Sequence, residues 1–394
     1  MNRRQVMMLP GLAFAPVRGN AQTPTPPPPD ATLDALLPDQ ILLKDYRPKS
    51  VYKIHASDIR KAKFPVIDCH HHAQSRTQEQ VDAEVRLMDA AGLQASVAFM
   101  GVGEGPTYRA SAFDDGARIY SKYPKRFYLY TGLDLSGAAQ PGWKPDATLT
   151  ELDRCHKAGA VGVGELHDKG MGIGGVMPGG RGRAVVQGFH PDAPQMDAIW
   201  EKCADLGMPV NLHVSDPYWS YLKQDRFNDG LMNGFSWRLD DKPEIMQHNE
   251  LVLSYDAAAK RHPRTVFIAS HLLNLDYDLE RLGGIFERNP NFYADLSARF
   301  HETCTIPRTT AAFLNKWGHR VVYGTDIPFS QHLFSLTYRI LESADEHFYD
   351  QDFYFNFNYH WPMYGMNLPD DVLKKVYHES ALNAFKQAQA KAKG

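Results

Sequence analysis

The chain lacks the features that mark several large classes of protein. No interior stretch of its 394 residues approaches the ~20 consecutive apolar residues of a membrane-spanning helix. No run of Lys and Arg follows a path that could track a phosphate backbone, and the net charge is only −3, which argues against a nucleic-acid partner. Cysteine is scarce. Cys69, Cys155, Cys203 and Cys304 form no C-x-x-C pair, so buried thiols are expected rather than a disulfide framework. Cys69 stands between Asp68 and His70, but strand alternation turns it away from His70 and His72. Neither a G-x-S-x-G elbow nor a G-x-x-x-x-G-K-[ST] loop occurs, so serine-hydrolase and NTPase chemistry lack their defining residues. Gly170, Gly172 and Gly175 spell G-x-G-x-x-G, yet the stretch continues as Val176-Met177-Pro178-Gly179-Gly180 instead of opening a helix, so a dinucleotide site is not expected. Seven glycines and one proline between Gly170 and Arg183 predict instead a mobile loop at the mouth of the site.

The first residues read as an export signal over 1–21: Arg3 and Arg4, an apolar stretch from Val6 to Phe14, and Gly19-Asn20-Ala21 as a small-x-small cleavage site. The paired arginines before Gln5, Val6 and Met7 suggest the twin-arginine route, with the general secretory route as the alternative, and a periplasmic destination. Five prolines between Thr23 and Pro29 form a stiff linker. With the segment up to residue 63 they make an N-terminal extension, to which no chemistry is assigned.

From residue 64 onward, short apolar runs alternate with helical patterns, the signature of repeated βα units and a parallel sheet. Strands are predicted over Val66 to His72, Ala95 to Met100, Phe127 to Leu133, Val161 to Leu166, Pro209 to Val214, Thr265 to His271, Phe292 to Asp295 and Val321 to Asp326. Helical periodicity marks Gln78 to Ala91, Leu149 to Ala158, Asp192 to Leu206, Pro243 to Lys260 and Asp278 to Glu287, with a closing helix over Pro369 to Ala390. Eight such units over 64–394 match a single (β/α)8 TIM barrel, with a doubly wound open sheet as the alternative. The polar residues favour the barrel. Strand after strand ends in a group that can ligate or carry a proton: His70 and His72, Glu165, His213, His271, Asp295, Asp326. A barrel brings those ends to one mouth.

His70 and His72 lie two residues apart at a strand end, so both imidazoles point to one side and can clamp an ion, while His71 faces the helices. His213 and His271 each close an apolar run; singly either would be a core histidine, and their shared position raises the functional reading. Asp326, at the end of Val321-Val322-Tyr323-Gly324-Thr325, needs a cation or donors to offset its desolvation.

These motifs, namely Asp68-x-His70-x-His72, Pro209-Val210-x-Leu212-His213, Ala269-Ser270-His271 and Gly324-Thr325-Asp326-x-Pro328 in that order, resemble the amidohydrolase superfamily over residues 64 to 385. The resemblance is to its amidohydrolase-related branch, which includes aminocarboxymuconate semialdehyde decarboxylase and lactonases. It implies His70, His72, His213 and Asp326 as metal ligands and His271 as a residue beside the reacting water. Chemically, such a set suits one divalent ion, most simply Zn²⁺, that acidifies a water for attack on a carbonyl. Asp326 can take and return the proton, and His271 can orient the nucleophile or stabilise the oxyanion. Glu165 can complete a second metal site or support a single one.

Substrate contacts are expected from Tyr218 and Trp219, and from Arg299, whose planar fork suits a carboxylate. The expected activity is hydrolysis of a lactone, ester or amide in a small polar metabolite. Non-oxidative decarboxylation of an unsaturated or aromatic acid is the alternative, and a non-catalytic exported binding protein a third reading.

Overall fold

A computed structural model describes residues 37–177, 185–326, 328–350 and 359–392. The expected export signal and the proline linker lie outside the described residues, as do residues 178–184 of the glycine-rich stretch. The chain falls into two compact units. One comprises the described parts of Met1–Tyr52, Trp219–Pro243 and His347–Pro362; the other comprises the described parts of Lys53–Tyr218, Glu244–Glu346 and Met363–Gly394 and contains every strand among the described residues.

Eight parallel strands follow one another in chain order: β1 (Val66–His72), β2 (Leu93–Phe99), β3 (Phe127–Thr131), β4 (Gly162–Asp168), β5 (Val210–Val214), β6 (Phe267–Ala269), β7 (Phe292–Asp295) and β8 (Val321–Val322). Each pairs with the next, and two backbone bonds join the last to the first: Cys69 donates to the Tyr323 carbonyl at 2.8 Å and Asp326 to the His70 carbonyl at 2.8 Å. The result is the (β/α)8 barrel expected from the alternating pattern.

The first helix shows how local chemistry sets the units. Thr77 and Gln80 form a capping box at the start of Gln78–Ala91. Val81, Val85 and Met88 recur at helical spacing and are buried against the sheet, and Gly92 ends the helix in the left-handed region at φ 86°. β2 begins at the next residue. The outer layer of the core joins Ile67, Cys69, Val266, Ile268 and Val322 to Ala381, Ala384 and Ala388 of the closing helix Ser380–Ala392. All four cysteines are buried and free, and His71 faces outward, stacked on Phe329 at 3.9 Å.

Asp68 ties β1 to the segment that follows β8. Its fully buried carboxylate accepts from the backbone of His70 (3.0 Å) and Thr325 (3.1 Å) and from the Thr325 hydroxyl (2.6 Å). Asp68→Ala would orphan two buried backbone N–H groups, so we expect a loss of about 3 kcal/mol in unfolding free energy. An unchanged denaturation midpoint would remove Asp68 from this role.

The glycine-rich stretch differs from expectation over its described part, 170–177, which is buried and paired: Met171 and Ile173 are buried, and Ile173 and Val176 pair with Phe189 and Val186. Asp168 causes this by accepting the backbone N–H groups of Gly170 (3.0 Å) and Gly172 (2.8 Å), which folds the segment back on itself.

Candidate metal centre

β1 delivers two imidazoles. The register of β1 against β2 slips between Asp68 and His71, a bulge beside His70. His70 Nδ1 lies 2.9 Å from Asp295 Oδ2, at the end of β7, so the ring donates there and leaves Nε2 as a lone pair. That Nε2 is buried without a hydrogen-bond partner and faces Glu165 Oε1 and Asp326 Oδ1, each at 3.4 Å. His72 Nε2 sits 3.2 Å from Glu165 Oε2 and 3.0 Å from Asp326 Oδ1.

Glu165 is the hub of the cluster. The β4–β5 register also slips, between Val163 and Leu166, and Gly164 makes the slip sterically possible. Its φ is +147°, and a Cβ there would lie 2.8 Å from the Asn211 carbonyl oxygen. Five imidazoles surround the Glu165 carboxylate, at 3.4 Å (His70), 3.2 Å (His72), 3.2 Å (His167), 3.3 Å (His213) and 3.5 Å (His271).

His167 was not among the residues expected from the sequence. Its Nδ1 lies 3.0 Å from Glu104 Oε1, which turns Nε2 toward Glu165. The signal was available: Glu165-Leu166-His167 repeats the two-residue spacing of His70 and His72.

His271 and Asp326 occupy strained backbone just beyond their strands, not the strands themselves. β6 ends at Ala269 and β8 at Val322, shorter than expected. His271 through Asn274 hold φ between 51° and 59°, and Asp326 has φ 61°. Such left-handed non-glycine residues cost roughly 1–3 kcal/mol each and persist where surroundings over-determine them. Here Asp295 Oδ1 accepts from the His271 backbone at 2.9 Å, and Asn274 donates to the carbonyls of Val214 and Ser215 at 3.2 Å. The His271 ring donates from Nδ1 to the Ser297 carbonyl at 2.9 Å. Its Nε2 is left as an acceptor, 3.1 Å from His213 Nδ1 and 3.8 Å from Asp326 Oδ2.

Three overlapping groups of potential ligands result: His70, His72, Glu165 and Asp326; His70, His271 and Asp295; and Glu165, His167 and His213. The first takes in three of the four expected ligands and adds Glu165, while His213 falls with Glu165 and His167. The residues fit a divalent cation on two grounds. An imidazole lone pair and a carboxylate oxygen that face each other while buried need positive charge between them. In addition, donors around a Zn²⁺ with ~2.0–2.1 Å bonds are spaced about 3.0–3.5 Å apart, the separations found here.

The titration behaviour reflects the same demand. Burial opposes charge on His70, yet Glu165, Asp295 and Asp326 raise its pKa well above the usual imidazole range. Burial also opposes charge on His72 and His167, but their carboxylate neighbours push them up to about 9 and about 10. Glu165 and Asp326 are held far below the carboxylate range by the imidazoles despite their burial. His271 is shifted the other way, by burial and by His213.

The side chains expected to contact substrate have partners of their own. The Arg299 fork is already engaged: it donates to the Asn274 side chain and to the Ala298 carbonyl, with Asp276 and Glu302 beside it. Tyr218 stacks on Tyr277 at 4.1 Å, and Trp219, in the other unit, packs against Trp237 at 4.7 Å. Behind Tyr218, His248 is buried with Nε2 3.0 Å from the Asn274 carbonyl, and burial lowers its pKa to about 4. The fold therefore prefers neutral His248. Its contribution is complete above pH 6.5, the ordinary imidazole value, and is lost as pH falls from there toward 4. The loss amounts to about 3 kcal/mol. Urea unfolding at pH 7 and pH 4.5 should show this difference shrinking in His248→Gln; an identical pH dependence in the variant would assign the effect to other groups.

The sequence matches the amidohydrolase family model over residues 67–386, most of the chain, and the chain belongs to this family. No curated protein matches it by sequence. Among solved structures it is similar to an uncharacterised TIM-barrel protein of Bordetella bronchiseptica, with 14% identity, 83% of this chain and 100% of that chain covered, and a TM-score of 0.50. It is similar as well to a Staphylococcus aureus protein described as an amidohydrolase, with 14% identity, 82% and 100% covered, and a TM-score of 0.51. At such identity the likeness shows the barrel and nothing of the substrate.

Proposed function

We propose that this amidohydrolase is a metal-dependent hydrolase of a lactone, ester or amide bond in a small polar molecule. The observation that carries the reading is the convergence of His70 Nε2, His72 Nε2, Glu165 and Asp326, with Nε2 of His70 and Oε1 of Glu165 buried and unpartnered. These four residues would hold one divalent ion, taken to be Zn²⁺, with His213 at the edge of the set. When bound, such an ion supplies a Lewis acid for a carbonyl oxygen and lowers the pKa of water toward ~7. The protein's own groups do the rest. Asp295 fixes the His70 ring so that its lone pair faces inward. Ser297 fixes the His271 ring with Nε2 as an acceptor, so His271 suits orienting the nucleophile and receiving its hydrogen bond rather than donating to an oxyanion. Asp326, 3.8 Å from that Nε2, suits carrying the proton to the leaving group.

The test is a panel of lactones, esters, amides and phenolic acids assayed for acid release and for CO₂, beside metal analysis of the purified protein. Acid release with about one divalent ion per chain is expected. Release of CO₂ without acid would replace hydrolysis by decarboxylation, and substrate binding that is unaffected by metal removal, with neither product formed, would favour a binding protein. The N-terminal arginines and apolar stretch support export to the periplasm, which fractionation of expressing cells would check.

A further inference from the structure

Access to the cluster is uneven. The side chains of His70, Glu165 and His271 are 3% exposed or less, whereas His72 keeps 34%, His167 40% and Lys169 34%. A substrate reaching the cluster therefore meets two imidazoles and an ammonium. Lys169 Nζ lies 2.8 Å from Asp216 Oδ1, and that same oxygen is 3.5 Å from His213 Nε2, so the ammonium is coupled to the cluster through one buried carboxylate. An ammonium has three N–H donors, and Asp216 occupies one.

The backbone that carries Lys169 is held firmly. Asp168 before it is fully buried, accepts from Gly170 and Gly172, and lies 2.7 Å from His190 Nδ1. Gly170 after it has φ +108°, where a Cβ would stand 2.8 Å from the Met246 carbonyl oxygen. Lys169 is thus set in place at the end of β4 rather than carried on a loose loop. Burial opposes charge on Lys169, but Asp216 foremost, and then Glu165 and Asp326, raise its pKa, so it stays cationic.

We infer that Lys169 is a substrate-binding residue and that the substrate carries a carboxylate beside the bond that is broken. This rests on the hydrolase reading for the identity of that bond, but not for the binding itself. A single compact ammonium, already paired with one carboxylate, matches one further singly charged group such as a carboxylate.

The experiment is calorimetry on the metal-loaded protein with succinate and with succinamate, which replaces one carboxylate by a neutral amide. Succinate is expected to bind at least about tenfold more tightly, the scale of one charge-assisted contact. Lys169→Met should erase that preference and Lys169→Arg restore part of it, both with parental metal content. An equal affinity for the two ligands in the parent, a preference that survives in Lys169→Met, or loss of metal in that variant would each overturn the inference. A preference for succinate in the parent that Lys169→Met erases, in a protein that hydrolyses nothing in the panel, would instead count against the hydrolase reading alone.

Discussion

Glu165→Gln is expected to lower metal affinity by at least about 100-fold, more than loss of an outer hydrogen bond to a ligand costs. The change keeps the size and most of the shape of the side chain and removes its charge. That charge is what five imidazoles face at 3.5 Å or less. Turnover should fall with occupancy, and excess Zn²⁺ should restore it only in part. His72→Ala should also lose metal, because the β1 pair is left with one arm. The measurements are metal content after dialysis and activity across a zinc titration. If Glu165→Gln kept its metal while His213→Ala lost it, the ligand set would be the one the sequence resemblance implied, with His213 in the place of Glu165.

His271→Asn is expected to keep the metal and lose roughly 10² to 10³ in turnover, the scale of one positioned acid, base or donor. The ring is locked by Ser297 on one side and presents Nε2 to Glu165, Asp326 and His213 on the other. Asparagine can reproduce a hydrogen bond to Ser297 but not an acceptor nitrogen at that position. The loss should appear in kcat more than in KM if, as proposed, the group acts on the reacting water rather than on the bound substrate. Metal loss matching that of His72→Ala would make His271 a ligand, and full activity would end its catalytic role.

Much of this site was legible in the chain because strands and barrels are regular. Two-residue alternation places His70 and His72 on one face whatever lies around them, and strand ends in a parallel barrel converge by topology. The expected bounds of β1 and β7 match the observed strands, each of which runs through to the polar residue it delivers, His72 and Asp295. β6 and β8 were overestimated for a physical reason. His271 and Asp326 follow continuous apolar runs, but the backbone leaves the strand before reaching them and turns left-handed. No local pattern announces such a turn in residues other than glycine. It is imposed from β7, where Asp295 accepts the His271 N–H, and from β1, where the His70 carbonyl accepts from Asp326.

The sequence by itself determined the class of fold and the kinds of ligand, since both depend on periodicities and side-chain chemistry that neighbouring residues carry. Only the tertiary structure decided which donors share one point in space. The bulge at Gly164 and Glu165 turns that carboxylate into the middle of the imidazoles, and His213 groups with Glu165 and His167. The fork of Arg299 is taken by Asn274, and Lys169 is brought beside Asp216 across 47 residues of chain. Each of these follows from contacts between distant segments, whose energies depend on separation in space and leave no trace in the order of residues along the chain.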